Sequence, residues 1–226
     1  MQNNTDIPGS APSSIYPGTK HLILCEGKDD EGFLSSFLKS DVFSGTDLSA
    51  VQVMQVQGVN NLRKTVMVLI NADGFSDLSS LLIIRDADDN IRGAQDSVKS
   101  IFSAAGLPIP LNEYIWARED NIKTAFLLMP SCSNQSQAGS LDDLCWKILS
   151  NKYGPVIQDE VNTFISSLET DQKRTFVHRK KALVHTYFSS TEQLIASGIG
   201  RAAESGAFDW TSSELVPLRD FIMSMI

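Results

Sequence analysis

The chain has 226 residues, 42% of them hydrophobic and 20% charged, a balance that supports one generous domain, with or without an appendage, and excludes a disordered or fibrous polymer. Its net charge is −8, so no global field draws it to nucleic acid or acidic lipid; a polyanion would have to be met by a local basic patch or a bound metal. No apolar run approaches the ~20 residues that cross a bilayer. The N-terminus lacks the basic and apolar segments of a signal peptide, and three scattered cysteines, Cys25, Cys132 and Cys145, fit reduced thiols in a cytoplasmic protein without a zinc spacing.

Residues 1–18, rich in Asn, Ser, Pro and Gly, predict a mobile tail, with order beginning at His21. Leu22-Ile23-Leu24-Cys25 reads as a buried parallel strand. Gly27 is expected to permit a sharp exit into a helix whose inward face is Phe33, Leu34, Phe37 and Leu38. Residues 51–57 alternate apolar and polar, a second strand; Gly58 turns the chain, and Asn60 or Asn61 starts a helix to about residue 71. Leu81-Leu82-Ile83-Ile84 is a third strand, followed by a helix over about 91–105 closed by Gly106 and Pro108. Ile115-Trp116 and residues 124–129 predict two more strands, the second ended by Pro130. Past a Ser/Gln/Gly-rich loop at 131–139 the pattern turns helical, over about 141–151, 156–169, 173–189, 191–205 and 213–225. The alternation of strand and helix predicts an α/β core over 19–130 with a mainly parallel sheet covered on both faces, and a helical extension over 131–226 packed on it.

Two acidic patches follow two of these strands. Glu26-Gly27-Lys28-Asp29-Asp30 stands behind the first and Asp86-Ala87-Asp88 behind the third, at the sheet edge where open α/β folds bind ligands. Asp86 and Asp88, two apart in an extended segment, are expected to point the same way. Carboxylates so gathered repel one another unless cations neutralise them, and hard oxygen donors suit magnesium. The competing reading of Asp88, Asp89 and Asn90 is a plain helix start. The only dense basic run, Lys173-Arg174-Thr175-Phe176-Val177-His178-Arg179-Lys180-Lys181, can hold phosphates or steady a charged transition state; its competing reading is a solvated helix face. Cys25 must point away from Glu26 and reads as core, Arg85 reads as a structural ion pair, and His185 reads as a packed helical group rather than a ligand.

An apolar strand ending in Glu-Gly-x-x-Asp, followed by one ending in Asp-x-Asp, resembles the Toprim domain of type IA topoisomerases, bacterial primases, small RNA-maturation nucleases and OLD-family (overcoming lysogenization defect) nucleases. The resemblance covers residues 20–130 and implies a Rossmann-like Toprim sheet, with Glu26, Gly27 and Asp30 on the first motif and Asp86 and Asp88 on the second. OLD-type members carry a Ser-x-Glu after the core, adding ligands for a second metal. Ser140-Leu141-Asp142 is similar, with an acid one methylene shorter; an ordinary helix start is the other reading. Their later lysine is best matched by Lys181, then Lys180. The layout also resembles a group of standalone bacterial Toprim proteins of unknown function.

The resemblance thus implies a phosphodiesterase, most simply a nuclease, using Mg2+ or, as a substitute, Mn2+. Glu26, Asp86 and Asp88 would hold a first metal, Asp30 and Asp142 a second; Glu26 and Lys181 or Lys180 would serve catalysis; Lys173, Arg174 and Arg179 would meet nucleic acid. The alternative is a non-catalytic or regulatory Toprim module working with a separately encoded ATPase, since OLD-type Toprim domains operate fused or bound to one.

Overall fold

A computed structural model describes residues 14–131, 136–149 and 155–226. Strands β1 (His21–Cys25), β2 (Val51–Gln55), β3 (Ser80–Asp86), β4 (Ala117–Glu119) and β5 (Ile122–Met129) form a five-stranded sheet in the order β2-β1-β3-β5-β4. All but β4 are parallel: His21 lies beside Val51 on one side and Ser80 on the other, and Ser80 lies beside Lys123. Their C-terminal ends therefore share one edge. The chain leaves β1 for β2 on one side and returns to β3 on the other, which puts the switch point between β1 and β3, the crevice such sheets use for ligands. The fold is α/β and Rossmann-like.

Alternation along the buried strands divides the core into two. Ile23, Cys25, Leu82, Ile84 and Leu127 face helix α1 (Lys28–Leu38) together with the C-terminal helices α4 (Leu141–Ile148), α5 (Pro155–Thr170), α6 (Arg179–Ser189), α7 (Ile199–Glu204) and α8 (Val216–Met223). Leu22, Leu24, Leu81, Ile83 and Phe126 face α2 (Val59–Leu69) and α3 (Ile91–Ala104). Cys25 is buried on the α1 side, as its alternation with Glu26 requires, and burial pushes its thiol pKa up. Helices α1 and α7 touch backbone to backbone, because a Cβ on Gly32 would stand 2.6 Å from the Gly200 Cα.

Several expected elements shift. Ile115-Trp116 is not a strand: the Trp116 ring stacks on Phe221 at 4.9 Å and its Nε1 donates to Ser224 Oγ, so tertiary packing claims this stretch. The edge strand begins at Ala117 and turns antiparallel through Asp120, with φ 48°. The helix expected over 173–189 starts only at Arg179, since Lys173 takes a left-handed φ of 50° and the Arg174 N–H returns to Leu168 O. Of the stretch 191–205 only Ile199–Glu204 is helical; Ala196 has φ 60° before Gly198 opens α7. The expected tail lies mostly outside the described residues, but Ile15 is buried, and Tyr16 N–H and Thr19 Oγ1 both donate to Gln52 Oε1. Among the described residues no helix is long and apolar enough to cross a membrane.

Candidate functional site

At the end of β1 the backbone is pinned by β2, whose exit supplies Val56 N–H to Cys25 O (2.9 Å) and Gly58 N–H to Glu26 O (2.8 Å). Gly58 holds φ 100° and so suits glycine; Gly27 does not, since its φ of −135° is ordinary extended backbone. What constrains Gly27 is space: its N–H donates to Asp30 Oδ2 at 3.1 Å, and a Cβ there would lie 3.3 Å from that oxygen. The α1 start thus bends Asp30 back toward Glu26.

At the end of β3, Ala87 N–H bonds Met129 O, and Asp88 exchanges two backbone hydrogen bonds with Gly139 (2.8 and 2.9 Å). This ladder seats the N-terminus of α4 over the acidic edge, and the Leu141 N–H donates to Asp86 Oδ1 at 2.9 Å. Asp88 adopts φ 50°, so it does not continue the extended segment and does not point with Asp86. Asp86 turns inward beneath α4, whereas Asp88 stays exposed at the rim. The helix start after it is the work of Asn90, whose side chain caps Gly93 N–H at 2.9 Å.

The electrostatics follow from this crowding. Burial, then Asp30 and Glu26, push Asp86 up to about 8, against the Leu141 N–H that favours its charged form. Burial raises Glu26 to about 6, opposed by Arg85 and reinforced by Asp30 and Asp88. Asp30 rises to about 6 through burial, with Asp29 and Asp142 adding repulsion. Asp142 is also raised by burial, although Lys181 and His185 pull the other way. Two buried oxygens, Glu26 Oε1 and Asp142 Oδ1, have no hydrogen-bond partner; Arg85 Nε stands 3.3 Å from the former as an ion pair. Among the described residues, no three His, Cys, Asp or Glu side chains stand close enough together to hold a metal ion in this conformation.

Beside these acids opens a cleft of about 310 Å³ whose lining includes Asp88, Asp89, Ser140, Asp143, Lys180 and Lys181. Arg179 also reaches it, but its guanidinium is bound to Glu169 (3.0 and 3.1 Å) and Ser166 (2.9 Å), tying α6 to α5.

Residues 20–226 match the family described as "Protein of unknown function (DUF3226)". The chain belongs to this family. No curated protein matches it. A solved structure similar to this DUF3226 member is the C-terminal region of the Xanthomonas campestris pv. campestris OLD protein, at 12% identity over 91% of this chain and 95% of that one, with a TM-score of 0.40.

In this DUF3226 protein the two motifs come within electrostatic reach of each other: Glu26, Asp30 and Asp86 lie inward, Asp88 stays at the rim, and Asp142 lies near Asp30 and Lys181. Lys173 and Arg174 are exposed in the turn before α6 and do not line the cleft. Three residues that the sequence does not assign to the site have roles in the structure. Asp29 accepts the Gly200 N–H at 3.0 Å and seats α7. His185 lies near enough to Asp142 to favour its charged form. Glu113 is buried in a loop and accepts the Leu128 N–H (3.0 Å), covering β5 where no strand pairs with it, while Gln95 and Ser136 satisfy its other oxygen.

Proposed function

We propose that this protein is a Mg2+-dependent, nuclease-like phosphodiesterase acting on nucleic acid, with its centre at the β1–β3 switch point. The observation that carries the reading is the convergence of buried carboxylates from both acidic motifs, each held above its ordinary pKa, with Glu26 Oε1 and Asp142 Oδ1 short of hydrogen bonds. The donor chemistry suits a hard divalent ion, all oxygen, mutually repelling and relieved by added positive charge, and such an ion would have to draw the acids closer together than they stand in this conformation. Asp86 feels the charges of Asp30, Glu26 and Asp88, and Asp142 joins the set through Asp30. When bound, such an ion supplies Lewis acidity toward a phosphoryl oxygen and a water of lowered pKa.

The side chains divide the remaining work. Lys181, with Lys180 next to it on the cleft wall, offers an ammonium to the phosphate on which charge develops. Glu26, raised to about 6 by burial, is the carboxyl of the first motif placed to take or give a proton around neutral pH. Asp86→Asn tests the reading: Mg2+-dependent cleavage of single- and double-stranded DNA and RNA should fall at least ~100-fold, with the circular dichroism of the fold unchanged. Full activity of Asp86→Asn on every substrate the wild type cuts would sink it.

A second reading, a non-catalytic module regulated by or regulating a separate ATPase, is favoured by the pairing of Arg85 with Glu26 and Asp88 and by the net charge of −8. It predicts no cleavage by wild type with Mg2+ or Mn2+ under any substrate geometry.

A further inference from the structure

Two charges in the cleft beside the acidic edge are used by nothing in the fold. Lys180, in the first turn of α6, and Asp89, in the turn after β3, both line it. Among the described residues neither makes a hydrogen bond or an ion pair, with each other or with a third group. Their neighbours are engaged: Arg179 by Glu169, Asp143 by the Ser140 N–H, Asp88 by Arg85. Val177 also lines the cleft and is 86% exposed. An occupant that satisfies all three brings a negative group for Lys180, a hydrogen-bond donor for Asp89 and an apolar face for Val177. It must fit about 310 Å³, the low end of small-ligand sites.

We propose that this cleft is a nucleotide-selecting subsite for one unpaired, amino-bearing nucleotide of a single strand, its phosphate on Lys180, its base edge on Asp89 and its base face on Val177. This rests on the nucleic-acid half of the reading above and needs no metal. Cytosine and adenine carry an exocyclic amino group that donates to a carboxylate, whereas thymine presents a carbonyl oxygen in the same place, which a carboxylate repels. Stacking covers both faces of a base inside a duplex, so contact with Val177 requires a base out of the stack. Asp89 is the specificity-determining residue in this scheme, and it leaves Asp88 to the acidic centre.

The test is fluorescence-anisotropy binding of the full chain, in EDTA, to oligo-dC, oligo-dA and oligo-dT strands of equal length and to a fully paired dC–dG duplex. Wild type should bind the dC and dA strands about tenfold or more tighter than either the dT strand or the duplex. Asp89→Asn, at an exposed position, should bring dC down to the dT level and leave dT within about threefold, while Lys180→Met weakens all three strands about tenfold. Equal affinity for dC and dT in wild type overturns the inference, as does a duplex bound as tightly as the dC strand. So does Asp89→Asn tightening every strand alike, since the acid would then merely repel phosphate. If dCMP alone binds as tightly as the dC strand, the occupant is a free nucleotide and the single strand is overturned. Strand binding as expected without Mg2+-dependent cleavage of the same strands sinks the nuclease reading and leaves the subsite standing. No binding of any strand overturns both.

Discussion

Asp143 reaches back from the first turn of α4 to the Ser140 N–H at 2.9 Å, and Asp142, one residue earlier, leaves a buried oxygen unbonded. The pair separates a helix cap from a candidate ligand. Asp143→Ala should cost about 1 kcal/mol in denaturant unfolding, the usual worth of a cap, with metal affinity little changed. Asp142→Ala should show the reverse: no loss of metal-free stability, because a carboxyl raised by burial and carrying an unbonded buried oxygen is removed, and Mn2+ affinity weakened about tenfold or more. If both variants lose stability equally, Asp142 is only another first-turn acid. The motifs themselves were legible in the sequence because each acid follows a strand directly. The split between Asp142 and Asp143 was not, since it depends on the Asp88–Gly139 bridge that brings α4 over the sheet edge. Nor was the left-handed turn at Asp88, which replaces an expected alternation.

The site is held in place by two element contacts. One is the α1–α7 crossing, where Gly32 and Gly200 meet and Asp29 takes the Gly200 N–H. Gly32→Ala would drive a Cβ into the Gly200 backbone at 2.6 Å, which no side-chain rotation relieves; a loss of about 1–3 kcal/mol in denaturant unfolding is expected. The other is the α5–α6 tie through Arg179. Arg179→Met should lower stability by up to about 1 kcal/mol and leave cleavage within a few-fold, because that guanidinium is engaged by Glu169 and is half-exposed. Lys181→Met should instead slow cleavage about 100-fold or more at unchanged stability. A rate loss in Arg179→Met as large as in Lys181→Met would reverse this assignment. Strands β1, β3 and β5 were legible from apolar runs alone, because full burial writes itself locally. The C-terminal helices were blurred by Lys173 and Ala196, whose left-handed backbone no composition rule marks.

For the whole molecule, the acidic centre makes stability depend on pH in a definite direction. Free carboxyls titrate near 4, whereas in the folded chain Glu26 and Asp30 titrate near 6 and Asp86 near 8. Between those values the native state binds more protons than the unfolded one, so stability falls as pH rises. The contribution is fully present below about pH 4, shrinks through pH 6 and is gone above about pH 8. In EDTA, the free energy of unfolding from denaturant titration should therefore drop between pH 5 and pH 8, with Asp86 alone responsible for on the order of 3 kcal/mol. Saturating Mg2+ should recover stability at pH 8 and add little at pH 5, because a cation competes with those same protons and stabilises the folded state by mass action. Asp86→Asn should flatten the pH profile and abolish the Mg2+ effect, its amide oxygen still able to accept the Leu141 N–H. An EDTA profile that rises from pH 5 to pH 8 would mean that these carboxyls are charged and relieved without any metal, and the acidic edge would then be a surface feature rather than a strained centre awaiting a cation.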